Sequence, residues 1–183
     1  MLRNSVKKTS SKKTSLKKTY FSPFFSSKIF NFFWLNFAKI FLQKSFVYVD
    51  NQRDLELLIK QIKRAKLFAL DTEFVRKKTY YPILSLIQIA VKLENNDKKL
   101  FIIDCHSKLN LKGFYDLIAD AKIKKILHSA SQDLQIFFHR SQLVPKAVYD
   151  TQVMANFCGL EYGVGYSSLV KNLFNKKLCK EQQ

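Results

Sequence analysis

From Phe46 onward, apolar and polar residues recur with periods that define local structure. Phe46–Val49 reads as a short strand. Asn51 then offers an N-cap, and Leu55, Leu58, Ile59 and Ile62 fall at i, i+3, i+4 and i+7, the stripe of an amphipathic helix ending near Ala65. Leu67–Asp71 is a compact apolar strand. Ile83–Val91 is a second, introduced by Tyr80-Tyr81-Pro82, and Leu100–Asp104 is a third, after a polar turn at Leu93–Lys98. Three strands in succession with no helix between them predict a meander.

Helix and strand alternate after the meander. Leu111, Phe114, Ile118 and Ala121 mark the inward side of a helix over Leu111–Ala121, and Lys125–Leu127 reads as a short strand. A helix follows from Ser131 to Arg140, capped by Ser129 or Ser131, with Ala130, Leu134, Phe137 and Phe138 as its buried stripe. Thr151–Cys158 and Tyr166–Phe174 are two further helices, the second preceded by turn glycines at Gly163 and Gly165. The order predicts one α/β domain over residues 46–183, a mixed central sheet with flanking helices.

Residues 1–45 differ in kind. The first nineteen are a Lys/Ser/Thr tract that lacks the apolar surface to offset ordering entropy. Residues 20–46 are Phe-rich, yet Lys28, Asn31, Asn36 and Lys39 interrupt them, and Ile29 to Ala38 is the longest uncharged run. That run is about half of the roughly 20 residues needed to span a bilayer, so no transmembrane helix is expected. An acid-free, basic leader before an apolar stretch fits an organelle transit peptide, a helix lying on a membrane surface, or a peripheral extension. Without a secretory signal, the default location is the cytoplasm.

Charge adds a partner class. The chain carries +18, and with no acid before Asp50 the leader supplies ten of those charges through Arg3 and nine lysines, leaving +8 on the remainder. Such a field attracts nucleic acid or an anionic membrane surface. Cys105, Cys158 and Cys179 are too scattered for a zinc site or a disulfide framework.

Two segments carry candidate chemistry. In Asp71-Thr72-Glu73 an apolar strand delivers two carboxylates at i and i+2, on one face, where their repulsion invites a raised pKa or a divalent cation. The alternative is a strand that ends in a polar turn. Asp133 lies in the first turn of its helix beside the buried stripe, a position that the helix dipole alone also favours.

In order, these segments resemble the first two motifs of the DEDD 3′–5′ exonuclease superfamily, most closely its ribonuclease D branch. The resemblance rests on Ala69-Leu70-Asp71-Thr72-Glu73-Phe74 with Thr79-Tyr80-Tyr81-Pro82-Ile83-Leu84-Ser85-Leu86-Ile87-Gln88-Ile89, on His128 through Leu134, and on Tyr149-Asp150-Thr151-Gln152 with Gly163-Val164-Gly165-Tyr166. It covers residues 46–183. It implies a ribonuclease H-like fold and removal of nucleotides from the 3′ end of RNA, such as tRNA precursors, by two Mg²⁺ or Mn²⁺ ions roughly 3.5–4 Å apart. Asp71 would bridge the ions, Glu73 would complete the one that activates water, and Asp133 would hold the one nearer the leaving oxygen. Phe74, Tyr80, Tyr81, His128 and Gln132 would then face the substrate, the aromatics by stacking on unpaired bases.

The family pattern adds a third motif, a Tyr four residues before a final Asp. The present 183 residues stop at Leu178-Cys179-Lys180-Glu181-Gln182-Gln183, which looks like the lead-in to it, so the domain is expected to be C-terminally incomplete. Tyr149 and Asp150 are adjacent and do not reproduce the Tyr-x-x-x-Asp spacing. Two readings follow: an exoribonuclease whose last motif comes from a separate chain or a downstream product, or a noncatalytic nucleic-acid binder. A protein held on a membrane surface by residues 20–46 is a third.

Overall fold

The computed structural model describes residues 46–178, apart from 77–78 and 94–96. The expectations for residues 1–45, for the middle of the Leu93–Lys98 turn and for the last five residues lie outside the described residues.

Strand β1 (Val47–Val49) is followed by helix α1 (Gln52–Ala65), whose first turn is closed by the Asn51 side chain accepting the Asp54 N–H at 3.0 Å. Asp54 in the first turn and Lys63 and Arg64 in the last complement the helix dipole. Leu55, Leu58 and Ile62 are buried, as their spacing requires. The helix stops where Lys66 turns left-handed (φ 55°) and donates its N–H to Ile62 O.

Strands β2 (Leu67–Val75), β3 (Ile83–Lys92) and β4 (Lys98–Asp104) form the predicted meander, antiparallel throughout. Helix α2 (Lys112–Ala119), strand β5 (Lys124–Leu127), helix α3 (Ser131–Ser141), strand β6 (Val148–Asp150) and helices α4 (Thr151–Phe157) and α5 (Tyr166–Phe174) complete the fold. The sheet order is β1-β4-β3-β2-β5-β6, with β1 parallel to β4, β5 parallel to β2 and β6 parallel to β5. The sheet is mixed and helices cover it, as the alternation of elements predicts.

Both faces are buried, as the alternation along β2 shows. Phe68 and Leu70 point into the larger core with Ile87, Ile89, Phe101 and Ile103, under α1, α2 and α3. Ala69 points the other way, opposite Ala90 in register, into a smaller core with Leu100, Ala155, Leu169 and Val170 under α4 and α5. Each fully buried Leu or Ile side chain contributes roughly 1.5–3 kcal/mol, so the larger core dominates stability.

Several expectations need correction. β2 does not end at Asp71 but continues through Val75, because β3 pairs with it along that length, with a bulge between Glu73 and Phe74. Ala121 lies beyond the end of α2 and is exposed, and Phe138 is exposed while Ile136 takes its place in the core. Phe46 lies outside β1. Strand β6 was not expected: three residues carry no periodicity, and its pairing with β5 is a long-range contact.

Lys125 is 0% exposed on β5, and its ammonium donates to Asp120 O (2.6 Å), Ile123 O (2.7 Å) and Lys146 O (2.9 Å), which uses all three protons. Burial pushes its pKa down to about 8, opposed by Asp120, so the group is still charged at neutral pH. It ties the turn before β5 to the chain entering β6. Lys125→Met keeps the volume and removes every donor, and at about 1–3 kcal/mol per stranded buried acceptor it should cost at least about 3 kcal/mol in urea unfolding. A loss below about 1 kcal/mol would show that water replaces the ammonium at no net penalty.

Candidate active site

The strands β2, β4 and β5 run in one direction, so their carboxyl ends share an edge of the sheet. Candidate residues gather there. Asp71 and Glu73 project from β2 on the face of the smaller core, two and four residues beyond Ala69. Asp71 is half-buried and Glu73 exposed.

Asp133 comes from the other layer. It stands in the first turn of α3, is only 6% exposed, and its carboxylate accepts a short hydrogen bond from the Thr72 hydroxyl. Thr72, between the two acids in sequence, projects from the opposite face of β2 and holds the third. Gln88, opposite Asp71 on β3, is buried and donates its side-chain N–H to Glu73 Oε1 at 3.2 Å. Sequence reasoning singled out neither Thr72 nor Gln88; a glutamine inside the apolar run Ile83–Val91 was the available signal.

The electrostatics bear on metal binding. Burial pushes the Asp71 carboxyl up to about 7, helped by the negative charges of Asp133 and then Glu73. Burial also raises Asp133, against the bond from Thr72 and with help from the charge of Asp150. Even so, among the described residues no three His, Cys, Asp or Glu side chains gather into a metal-binding group. The three acids are neighbours in charge without converging on a point.

The start of α3 is fixed by a residue that local sequence does not reveal. Neither Ser129 nor Ser131 caps the helix. Ser129 is instead left-handed (φ 57°), a strained setting for a non-glycine residue, and the Asp150 carboxylate accepts the N–H groups of Ser129 (3.0 Å) and Ala130 (2.8 Å). The same carboxylate caps α4, accepting from Gln152 N (2.8 Å) and Val153 N (3.4 Å). Asp150 is therefore a positioning residue for Asp133.

The expected substrate residues divide into two groups. Tyr80 (88% exposed), Tyr81 (51% exposed) and Gln132 are open to solvent, with Tyr80 edge-on to Tyr81 at 4.9 Å and Tyr81 stacked on His139 at 3.7 Å. Phe74 is half-buried against the larger core. His128 is half-buried, its Nδ1 3.0 Å from the Thr151 hydroxyl, which in turn donates to Leu127 O, and its ring meets Tyr166 edge-on at 5.6 Å. Burial lowers the His128 pKa, with Asp150 and the Val164 backbone opposing.

Two predictions follow from this geometry. Asp71 has a folded-state pKa above its ordinary 3.8, so its contribution to stability is fully present below about pH 4 and is lost as pH rises through about 7. In divalent-free buffer Asp71→Asn should therefore raise the melting temperature at pH 8 and raise it clearly less at pH 5; an equal shift at both pH values would refute the raised pKa. Asp150→Ala removes the cap of α4 and the acceptor of the Ser129 and Ala130 N–H groups just before α3, and should cost about 2 kcal/mol, with Asp150→Asn losing less, both read by thermal unfolding.

The family model described as 3′–5′ exonuclease matches residues 46–183. Among curated relatives, ribonuclease D of Shewanella sp. (strain ANA-3) is 37% identical over 135 residues, 74% of this chain and 34% of that protein. Ribonuclease D of Bartonella henselae is 31% identical over 135 residues, 74% and 32% of the two chains. The chain thus spans about a third of the length of these relatives. In structure it is similar to Escherichia coli RNase D, described as an exoribonuclease involved in structured RNA processing, with a TM-score of 0.66 and 31% identity over 74% of this chain and 35% of that one. Trypanosoma brucei RNase D in complex with RNA U12 shares the fold at a TM-score of 0.65 and 18% identity, over 76% and 50% of the chains. The chain belongs to the 3′–5′ exonuclease family, and its likeness within that family is to ribonuclease D.

Proposed function

We propose that this domain hydrolyses RNA from the 3′ end, acting on tRNA precursors or other RNA 3′ ends in the cytoplasm, with Asp71, Glu73 and Asp133 as its catalytic carboxylates. The observation that carries the reading is the charge coupling of Asp71 to Asp133 and Glu73 at the carboxyl edge of the sheet. Oxygen-only donors and an acid whose pKa is raised by burial and by neighbouring negative charge suit hard divalent ions such as Mg²⁺ or Mn²⁺, which bind carboxylate and phosphate oxygens. Two such ions, when bound, would supply a water nucleophile and neutralise the leaving oxygen.

The residues of the chain supply the rest. Thr72 and Asp150 fix Asp133, Gln88 orients Glu73, and Tyr80, Tyr81 and Gln132 offer exposed surface for unpaired nucleotides, with Phe74 and His128 behind them. A further carboxylate from a Tyr-x-x-x-Asp block, supplied by a separate chain or a downstream segment, completes the ligand set. Among the described residues no helix is long and apolar enough to cross a membrane.

Purified protein with Mn²⁺ should shorten 3′-labelled RNA, and Asp71→Ala should lower the rate by about a thousandfold or more. Undiminished degradation by Asp71→Ala would overturn the assignment. A second reading, RNA binding without turnover, is favoured by the lack of a three-carboxylate cluster among the described residues. It predicts salt-sensitive RNA binding with no product, and an affinity that ignores salt would refute it.

A further inference from the structure

The exonuclease reading assigns no role to the surface beyond the carboxylates, where α3 ends. Helix α3 carries Asp133 in its first turn and His139 and Arg140 in its last, roughly 10 Å further along its axis. At that far end a cavity of about 610 Å³ opens between α2, the loop after β4 and the last turn of α3. It is lined by Asn110, Lys112, Tyr115, Asp116, His139 and Arg140, and by none of the three candidate catalytic carboxylates. The volume lies in the range of small-ligand sites, about 300–1,000 Å³.

Three features of the cavity suit a nucleotide. Lys112 and Asp116 neutralise one another at 2.9 Å, and no carboxylate among the described residues pairs with Arg140, which leaves its guanidinium as the net charge facing the space. Tyr115 is buried, and its hydroxyl has no hydrogen-bond partner among the described residues. The rim is aromatic: His139 stacks on Tyr81 with the rings 13° from parallel, and Tyr80 stands edge-on beyond it. A planar fork that pairs bidentately with phosphate, next to exposed ring faces, is the combination that holds single-stranded nucleic acid.

The cavity also lies on the right edge. Tyr80 and Tyr81 belong to the loop after β2 and Asn110 to the loop after β4, and both strands end on the edge that carries the candidate carboxylates. A strand whose 3′ end reaches the carboxylates can therefore run along α3 to the cavity.

We propose that this cavity is a second nucleotide subsite, which takes an interior nucleotide of a single-stranded RNA with its phosphate on Arg140 and its base on the Tyr80–Tyr81–His139 ladder. The inference rests on the exoribonuclease reading and adds to it a length requirement. RNA too short to reach Arg140 is held at the carboxylates alone, and longer RNA gains both contacts.

The test is fluorescence anisotropy of the full chain with labelled di-, tetra- and octaribonucleotides, with Arg140→Glu, Tyr81→Ala and Asp71→Asn variants. The intact protein should bind the octamer at least about tenfold more tightly than the dimer. Arg140→Glu should remove most of that gain while leaving dinucleotide affinity unchanged, Tyr81→Ala should also remove most of the gain, and Asp71→Asn should keep it. Arg140→Glu should also flatten the salt dependence of octamer binding, with a slope smaller by about one. If the length gain survives both Arg140→Glu and Tyr81→Ala, the subsite is refuted and the exoribonuclease reading stands. If no RNA of any length binds, it is that reading which fails.

Discussion

The burial of Asp71 beside two further carboxylates at one edge of the sheet is the constraint around which this domain is organised. Asp71 and Glu73 lie on the same face of β2, and burial first, then the charges of Asp133 and Glu73, raise the cost of ionising Asp71. A loop would relieve that strain by moving apart. β2 cannot, because it lies inside the sheet, hydrogen-bonded to β3 on one side and β5 on the other, with Phe68 and Leu70 anchored in the larger core. The packing of the sheet thus offsets the electrostatic cost of the site, and a cation bound there would recover part of it.

The polar residues around the acids act as struts. Thr72 projects toward α3 because strand side chains alternate, and that alternation lets one segment present two acids on one face and hold the third from the other. Gln88 does the same for Glu73 from the neighbouring strand. The Ala69–Ala90 pair has a related part: small side chains let α4 and α5 lie over the second face. Site and scaffold are continuous along five residues of β2.

Much of this was legible in the sequence where the cause is local. The stripe of Leu55, Leu58 and Ile62, the Asn51 cap and the three-strand meander depend on residues near one another in the chain. What was not legible depends on distant partners. The polar Thr72 and Glu73 looked like the end of a strand, but pairing with Leu86 and Ile87 carries β2 past them. Ser129 and Ser131 looked like caps, but neither caps the helix, and a carboxylate twenty positions away holds the two N–H groups just before it. Lys125 was legible only as the start of a short strand and is the most enclosed polar side chain of β5. The DEDD-like residues were readable as types and spacings; how Asp133 is held depended on contacts across the sheet.

Asp150 joins two helices through four backbone N–H groups on one carboxylate. Neither helix start can fray without loosening the other, so the segment from β5 to α4 opens as a single cooperative unit. An event at the outer surface of α4, such as contact with another protein or with an additional segment, is mechanically linked to the first turn of α3. The domain thereby contains a route by which a neighbour could tighten or slacken the Asp133 carboxylate without approaching it.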